Sequence, residues 1–174
     1  MLPAVLLALA VPLALTVTGC DDEDGPSRAV DPSTSPSPSL ELTETGGCGD
    51  AFFWATTADG TTAVVVTAEL RDRSTTEPTE LETSLPDPRV EVEVWQGTGL
   101  TSRMCNDVVT GRIDERTAVV EGEVRIALDP HRSEDRGFAR TVDGKAELTG
   151  LVTEDGTALP DLAIKTSSIG FYAG

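Results

Sequence analysis

The sequence predicts an all-β domain: an antiparallel β-sandwich of about seven or eight strands, with a small closed barrel as the alternative. Three observations lead there. From Gly46 onward, apolar and polar residues alternate with period two. Turn-forming pairs such as Asp59-Gly60, Asp129-Pro130 and Asp155-Gly156 fall between the alternating runs. No window carries a sustained i, i+3, i+4 apolar stripe with caps, so long helices are not expected.

Taken in order, the first candidate strand is Ala51–Thr56, which holds Phe52, Phe53 and Trp54, the densest aromatic run in an aromatic-poor chain. Asp59-Gly60 then reads as a tight hairpin. Val64, Val66, Ala68 and Leu70 share one face of the next strand, and Val65, Thr67 and Glu69 share the other. Residues 72–89 are rich in Pro and Glu and read as a long connection with a short edge strand at Glu80–Ser84. Val90, Val92 and Val94 alternate with Glu91, Glu93 and Trp95. Gly97-Thr98-Gly99 reads as a turn, Val108–Ile113 as a short strand, and Asp114-Glu115-Arg116 as a second turn. The longest strand follows, with Ala118, Val120, Gly122, Val124, Ile126 and Leu128 expected on one face. Val142, Ala146, Leu148 and Val152, then Leu162, Ile164 and Thr166, continue the pattern, and Ile169–Tyr172 closes it.

The size suits an immunoglobulin-like sandwich, but that family's signature is absent. Trp54 follows Cys48 too soon to be the core Trp of a third strand, and nothing matches a tyrosine corner. The architecture therefore rests on pattern alone.

The chain ahead of this domain has a different character. Leu2 to Thr16 carries no charge and is rich in Leu, Ala and Val, interrupted by Pro3 and Pro12. Such a run suits the core of an export signal, since a spanning helix needs about 20 apolar residues. It ends in Val17-Thr18-Gly19-Cys20 and switches at once to Asp21-Asp22-Glu23-Asp24, which cannot enter hydrocarbon cheaply. An ordinary secretory signal or a short membrane anchor is the plainer alternative.

Val17-Thr18-Gly19-Cys20 resembles the lipobox of bacterial lipoproteins: an aliphatic residue, a small or hydroxyl residue, Gly or Ala, then an obligatory Cys. The resemblance covers the first 20 residues. It implies that Val17, Thr18 and Gly19 are read by the signal peptidase, that residues 1–19 are removed, and that Cys20 becomes a diacylated N-terminus. The usual basic residues near the start are missing, because Met1-Leu2-Pro3 carries no Lys or Arg. Two acyl chains give stable anchoring, at about 0.8 kcal/mol per buried CH₂. The implied location is the extracytoplasmic face of a cell membrane. With eleven Arg against two Lys, and abundant Ala, Gly, Val, Asp and Thr, the composition resembles lipoproteins of actinomycete-type bacteria.

Three segments result: a signal peptide at 1–19, a lipidated tether at 20–45, and the β domain at 46–174. The tether contains Pro32-Ser33-Thr34-Ser35-Pro36-Ser37-Pro38 and few apolar residues, a composition that favours an extended, unpacked chain. Fully extended, residues 21–45 reach about 80 Å.

The net charge of −17 is spread over both parts, −6 for residues 20–45 and −11 for 46–174. It argues against nucleic acid and against adsorption to anionic lipids. With Cys20 assigned to lipid, Cys48 and Cys105 remain as an even pair, which reads as a disulfide in an exported domain. Two free buried thiols are the alternative. No Cys or His spacing suggests zinc, and neither metal nor cofactor is expected.

Residues that could carry chemistry are few. His131, the only His, sits in a polar loop near Ser133 and Asp135, and a hydrolase would have to be built on it. Glu91 with Glu93, and Glu121 with Glu123, are same-face carboxylate pairs, but neither calcium coordination nor a glycosidase cleft follows from neighbours on one strand. Asp21-Asp22-Glu23-Asp24-Gly25 lacks the Glu that would complete a calcium loop. Trp54 and Trp95 could form a platform for a small ligand or carbohydrate, or could pack beside the disulfide. The expected function is a non-catalytic, lipid-anchored module that binds an envelope protein or ligand.

Overall fold

The computed structural model describes residues 40–70, 77–106, 110–130 and 139–172. The lipobox, Cys20, the greater part of the tether and His131 lie outside the described residues.

The domain is all-β and antiparallel, with eight strands and one Cys48–Cys105 disulfide. The strands are β1 (Glu44–Cys48), β2 (Phe52–Thr56), β3 (Thr62–Ala68), β4 (Thr79–Ser84), β5 (Val90–Thr98), β6 (Arg112–Leu128), β7 (Ala139–Thr153) and β8 (Leu162–Tyr172). One short 3₁₀ turn, Leu100–Arg103, follows β5. Hydrogen-bonded neighbours run in the order β1-β2-β3-β5-β6-β7-β8, with β4 also paired to β6.

β6 is the strand that belongs to both halves. Its residues 112–118 pair with β5, while 119–128 pair with β7 and 123–128 also with β4. β4 and β5 therefore lie end to end along one edge of β6. The change of sheet occurs around Gly122, whose φ of 134° is open only to glycine. A Cβ there would lie 2.6 Å from Leu151 Cδ2. Ladder irregularities fall on both sides of Glu121, as expected where a strand bends from one sheet into another. At the far side, Gly170 N donates to Gly49 O at 2.8 Å, bringing β8 against β1. Gly47 permits that approach, because a Cβ on it would be 2.9 Å from Ile169 Cδ1. The two sheets face each other as in a sandwich, and the shared strand and the β1–β8 seam nearly close them into a flattened barrel.

The interior is filled from seven strands, by Phe53, Val64, Val66, Leu81, Val92, Val124, Ile126, Leu148, Leu151, Ile164 and Ile169 among others. β1 supplies no side chain, since its buried position is Gly47. Leu40 and Leu42 pack on this core, so the folded body begins before the Gly46 expected from composition.

Three expectations are corrected. Asp114-Glu115-Arg116 is no turn: it continues β6, with Glu115 opposite Gln96 and Arg116 opposite Trp95. Asp114 is the extra residue of a bulge there, opposite a site where a Cβ on Gly97 would meet Arg112 O at 2.0 Å. Gly97 and Thr98 likewise belong to β5, and the chain turns only at Gly99, at φ 61°. The single apolar face expected from Ala118 to Leu128 changes phase. Val119 points inward at 6 % exposure and Val120 outward at 38 %, because the irregularities near Gly122 shift the alternation.

Candidate functional site

The pleat of β2 divides its aromatic run. Phe53 and Ala55 enter the main core, while Phe52 and Trp54 face the opposite side of the sheet. On that outer side they meet a second, smaller cluster. Ala63 and Val65 of β3 form its floor, and Leu100 and Met104 cover them from the segment after β5. Leu100 is fully buried. Phe52, Trp54, Trp95 and Ile113 are half-buried around these four.

The covering segment, residues 99–105, acts as a strap. Leu100 N donates to Gly60 O at 2.9 Å, tying it to the β2–β3 hairpin. Arg103 Nη1 donates to Gly111 O at 2.7 Å, tying it to the approach to β6. The disulfide fixes its end to the last residue of β1, with a Cα–Cα distance of 5.8 Å. Thr101 adds a side-chain bond to Glu44 Oε2 at 3.3 Å.

At the rim, Trp95 Nε1 donates to Glu93 Oε2 at 2.7 Å. The same carboxylate oxygen lies 3.6 Å from Arg116 Nη1. The Arg116 guanidinium carbon stands 4.6 Å from the centre of the Trp95 ring, a cation–π arrangement worth about 0.5–1 kcal/mol at an exposed site. Phe52 completes the group at 6.5 Å from Trp95, with the rings tilted at 45°. Trp54 lies over the bare backbone of Gly46, its cross-strand partner; a Cβ on Gly46 would be 2.5 Å from the Trp54 ring. Its Nε1 is buried and has no acceptor among the described residues.

The structure therefore brings Trp54, Trp95 and the Cys48–Cys105 pair to one patch. Glu93, one member of an anticipated carboxylate pair, is engaged there by Trp95 and Arg116. Glu123, from the other pair, accepts from Ser84 Oγ at 2.8 Å. Among the described residues, no group of three His, Cys, Asp or Glu is placed to hold a metal ion. Leu100 and Met104 were not singled out in the sequence, and Arg116 was read there only as part of a turn. A signal for the first two exists: Ala63-Val64-Val65-Val66 is unbroken apolar sequence, the pattern of a strand covered on both faces.

The other outer face, formed by β4, β6, β7 and β8, is polar and open. Glu82, Arg125 and Glu147 stand opposite one another across β4, β6 and β7. Lys145 and Lys165, the chain's only lysines, are cross-strand partners. The Lys145 ammonium bonds Glu147 and holds its carboxyl below the usual range, with further help from Arg125 and Lys165. A shallow groove of about 490 Å³ crosses this face, its charged lining drawn from Glu82, Glu123, Arg125, Glu147 and Asp161 and part of its apolar lining from Leu162 and Ala163.

No known protein family, no curated protein and no solved structure matches this chain.

Proposed function

We propose that the protein is an exported lipoprotein, held at the extracytoplasmic face of a membrane by acyl chains on Cys20, and that its β domain is a non-catalytic binding module. The observation that carries this reading is the sequence Val17-Thr18-Gly19-Cys20, placed between an uncharged apolar run and four consecutive acids. The cysteine count supports it: Cys48 and Cys105 are joined, which leaves Cys20 as the remaining thiol. The disulfide itself suits an oxidising compartment. The net charge of −17 offers nothing to an anionic lipid surface, so the acyl chains carry the attachment. In this reading Trp54 and Trp95 serve the fold, as the rim of the strapped cluster.

The test is a membrane fractionation of cells that express the parent chain and a Cys20→Ala variant. The parent should sediment with membranes, and its mature N-terminal peptide should carry the mass of a diacylglyceryl group. The variant should move to the soluble or secreted fraction. A variant that stays with the membranes would sink the proposal.

A further inference from the structure

We propose that the outer edge of β4 receives an extended, cationic peptide strand of a protein partner; this names a partner chemistry for the binding module and rests on that reading. Among the described residues, β4 pairs with β6 alone. A strand with one paired edge presents main-chain donors and acceptors along the other, and adding a strand there is a general mode of peptide capture.

Three features make this edge a fixed template. Leu81 is buried in the main core and holds the middle of the strand. Leu85 N donates to Gly122 O at 2.8 Å, which anchors the exit from β4 at the bend of β6. Asp87 then clamps the following turn, accepting from Thr83 Oγ1, from Arg89 N at 2.8 Å and from the Arg89 guanidinium. A template already held in the bound geometry loses little freedom on binding.

Charge then selects the occupant. Glu80 and Glu82 are exposed, while Leu81 between them points inward. A strand laid along this edge would place alternate side chains beside the two carboxylates. A second copy of β4 would bring Glu against Glu, so the edge rejects itself. A strand with Lys or Arg at alternate positions would meet opposite charge at each contact, and cross-strand pairs of that kind contribute about 0.2–1 kcal/mol each. Glu82 and Glu123 also line the neighbouring groove, where they, Glu147 and Asp161 outnumber the single base Arg125, which stands opposite Glu82. The overall charge of −17 would speed the encounter with a basic partner.

The full chain, purified in detergent, would be titrated with an end-capped hexapeptide of alternating lysine and valine while amide exchange is followed across β4. The expected result is saturable binding, with slower exchange at β4 amides that are not bonded to β6. Glu80→Lys combined with Glu82→Lys should weaken that binding at least tenfold, and both positions are exposed enough for the fold to survive. The same peptide with proline in place of valine should not bind, since it cannot supply the donors of a strand. Equal binding by the proline peptide, equal binding by the double variant, or β4 amides already protected in the free protein would each overturn the proposal. Failure of the lipid anchor would appear in the fractionation of Cys20→Ala and leave this titration unaffected.

Discussion

On the outer side of β2, β3 and β5, the alternate residues include Phe52, Trp54, Val65 and Trp95; on the outer side of β4, β6 and β7 they include Glu82, Arg125 and Glu147. Both faces come from the same pleat, and both lie over the same core. They differ in what the chain does next. After β5 it turns at Gly99 and lays Leu100 and Met104 back across Ala63 and Val65, so that face becomes a second interior. Among the described residues nothing folds back over β4, β6 and β7, and that face keeps a ladder of opposite charges. An outer strand face is therefore apolar where a neighbouring connection returns to cover it. Stability should follow the same division, concentrated under the strap and nearly absent from the charged ladder.

The largest test of that division is the disulfide. Cys48 and Cys105 are separated by 57 positions, and closing a loop of that length stabilises by about 4 kcal/mol in the chain-entropy model. Cys48→Ala with Cys105→Ala should lower the free energy of unfolding in urea by roughly that amount. The fluorescence of the two tryptophans should change with it, since the disulfide ends the strap over the patch they border. A loss confined to a few tenths of a kcal/mol would mean that the hydrogen bonds of Leu100 and Arg103 hold the strap without it.

Leu100→Ala comes next. A fully buried leucine replaced by alanine typically costs about 2–5 kcal/mol, with the lower end expected where the surroundings can collapse. This site borders half-buried aromatics and one short segment, so about 2–3 kcal/mol is expected from urea unfolding. Because Leu100 and the disulfide act on one strap, the triple variant should lose less than the sum of the separate losses. Strict additivity would show that the two act independently.

The same comparison explains how much of the molecule was legible in the sequence. The β class, the hairpin at Asp59-Gly60 and the edge strand β4 follow from short-range pattern, and the structure contains them. The turns are local chemistry. Thr57-Ala58-Asp59-Gly60-Thr61 and Thr153-Glu154-Asp155-Gly156-Thr157 build the same device in two places. In each, the Asp accepts from the Thr two positions before and from the backbone N–H two positions after, and a glycine takes positive φ. Both Asp carboxyls are held below their ordinary range, chiefly by the hydroxyl of the preceding Thr. What local pattern could not supply is the phase of β6. Val119 and Val120 exchange faces because of irregularities that depend on the register with β7, a strand far along the chain. The strap was hidden for the same reason: Leu100 and Met104 sit in a turn, and only the doubly apolar run of β3 hints that something covers it.

The smallest effect is expected on the charged ladder, where Glu147→Gln removes the carboxylate among Lys145, Arg125 and Lys165. The group is exposed, so solvent screens its gain, and the unfolding midpoint at neutral pH should move far less than in the strap variants. The pH dependence gives the sharper reading. The folded carboxyl titrates below its ordinary 4.5, chiefly because of the Lys145 hydrogen bond. Its contribution is therefore present above about pH 4.5 and is lost as pH falls through the lower folded value. The gap between parent and variant should shrink over that window and close once the parent's carboxyl is protonated. Added salt should narrow it at neutral pH as well, whereas the loss from Leu100→Ala, which depends on packing, should persist in salt. A salt-insensitive gap at Glu147, as large as the one at Leu100, would mean that the open face is held by burial after all.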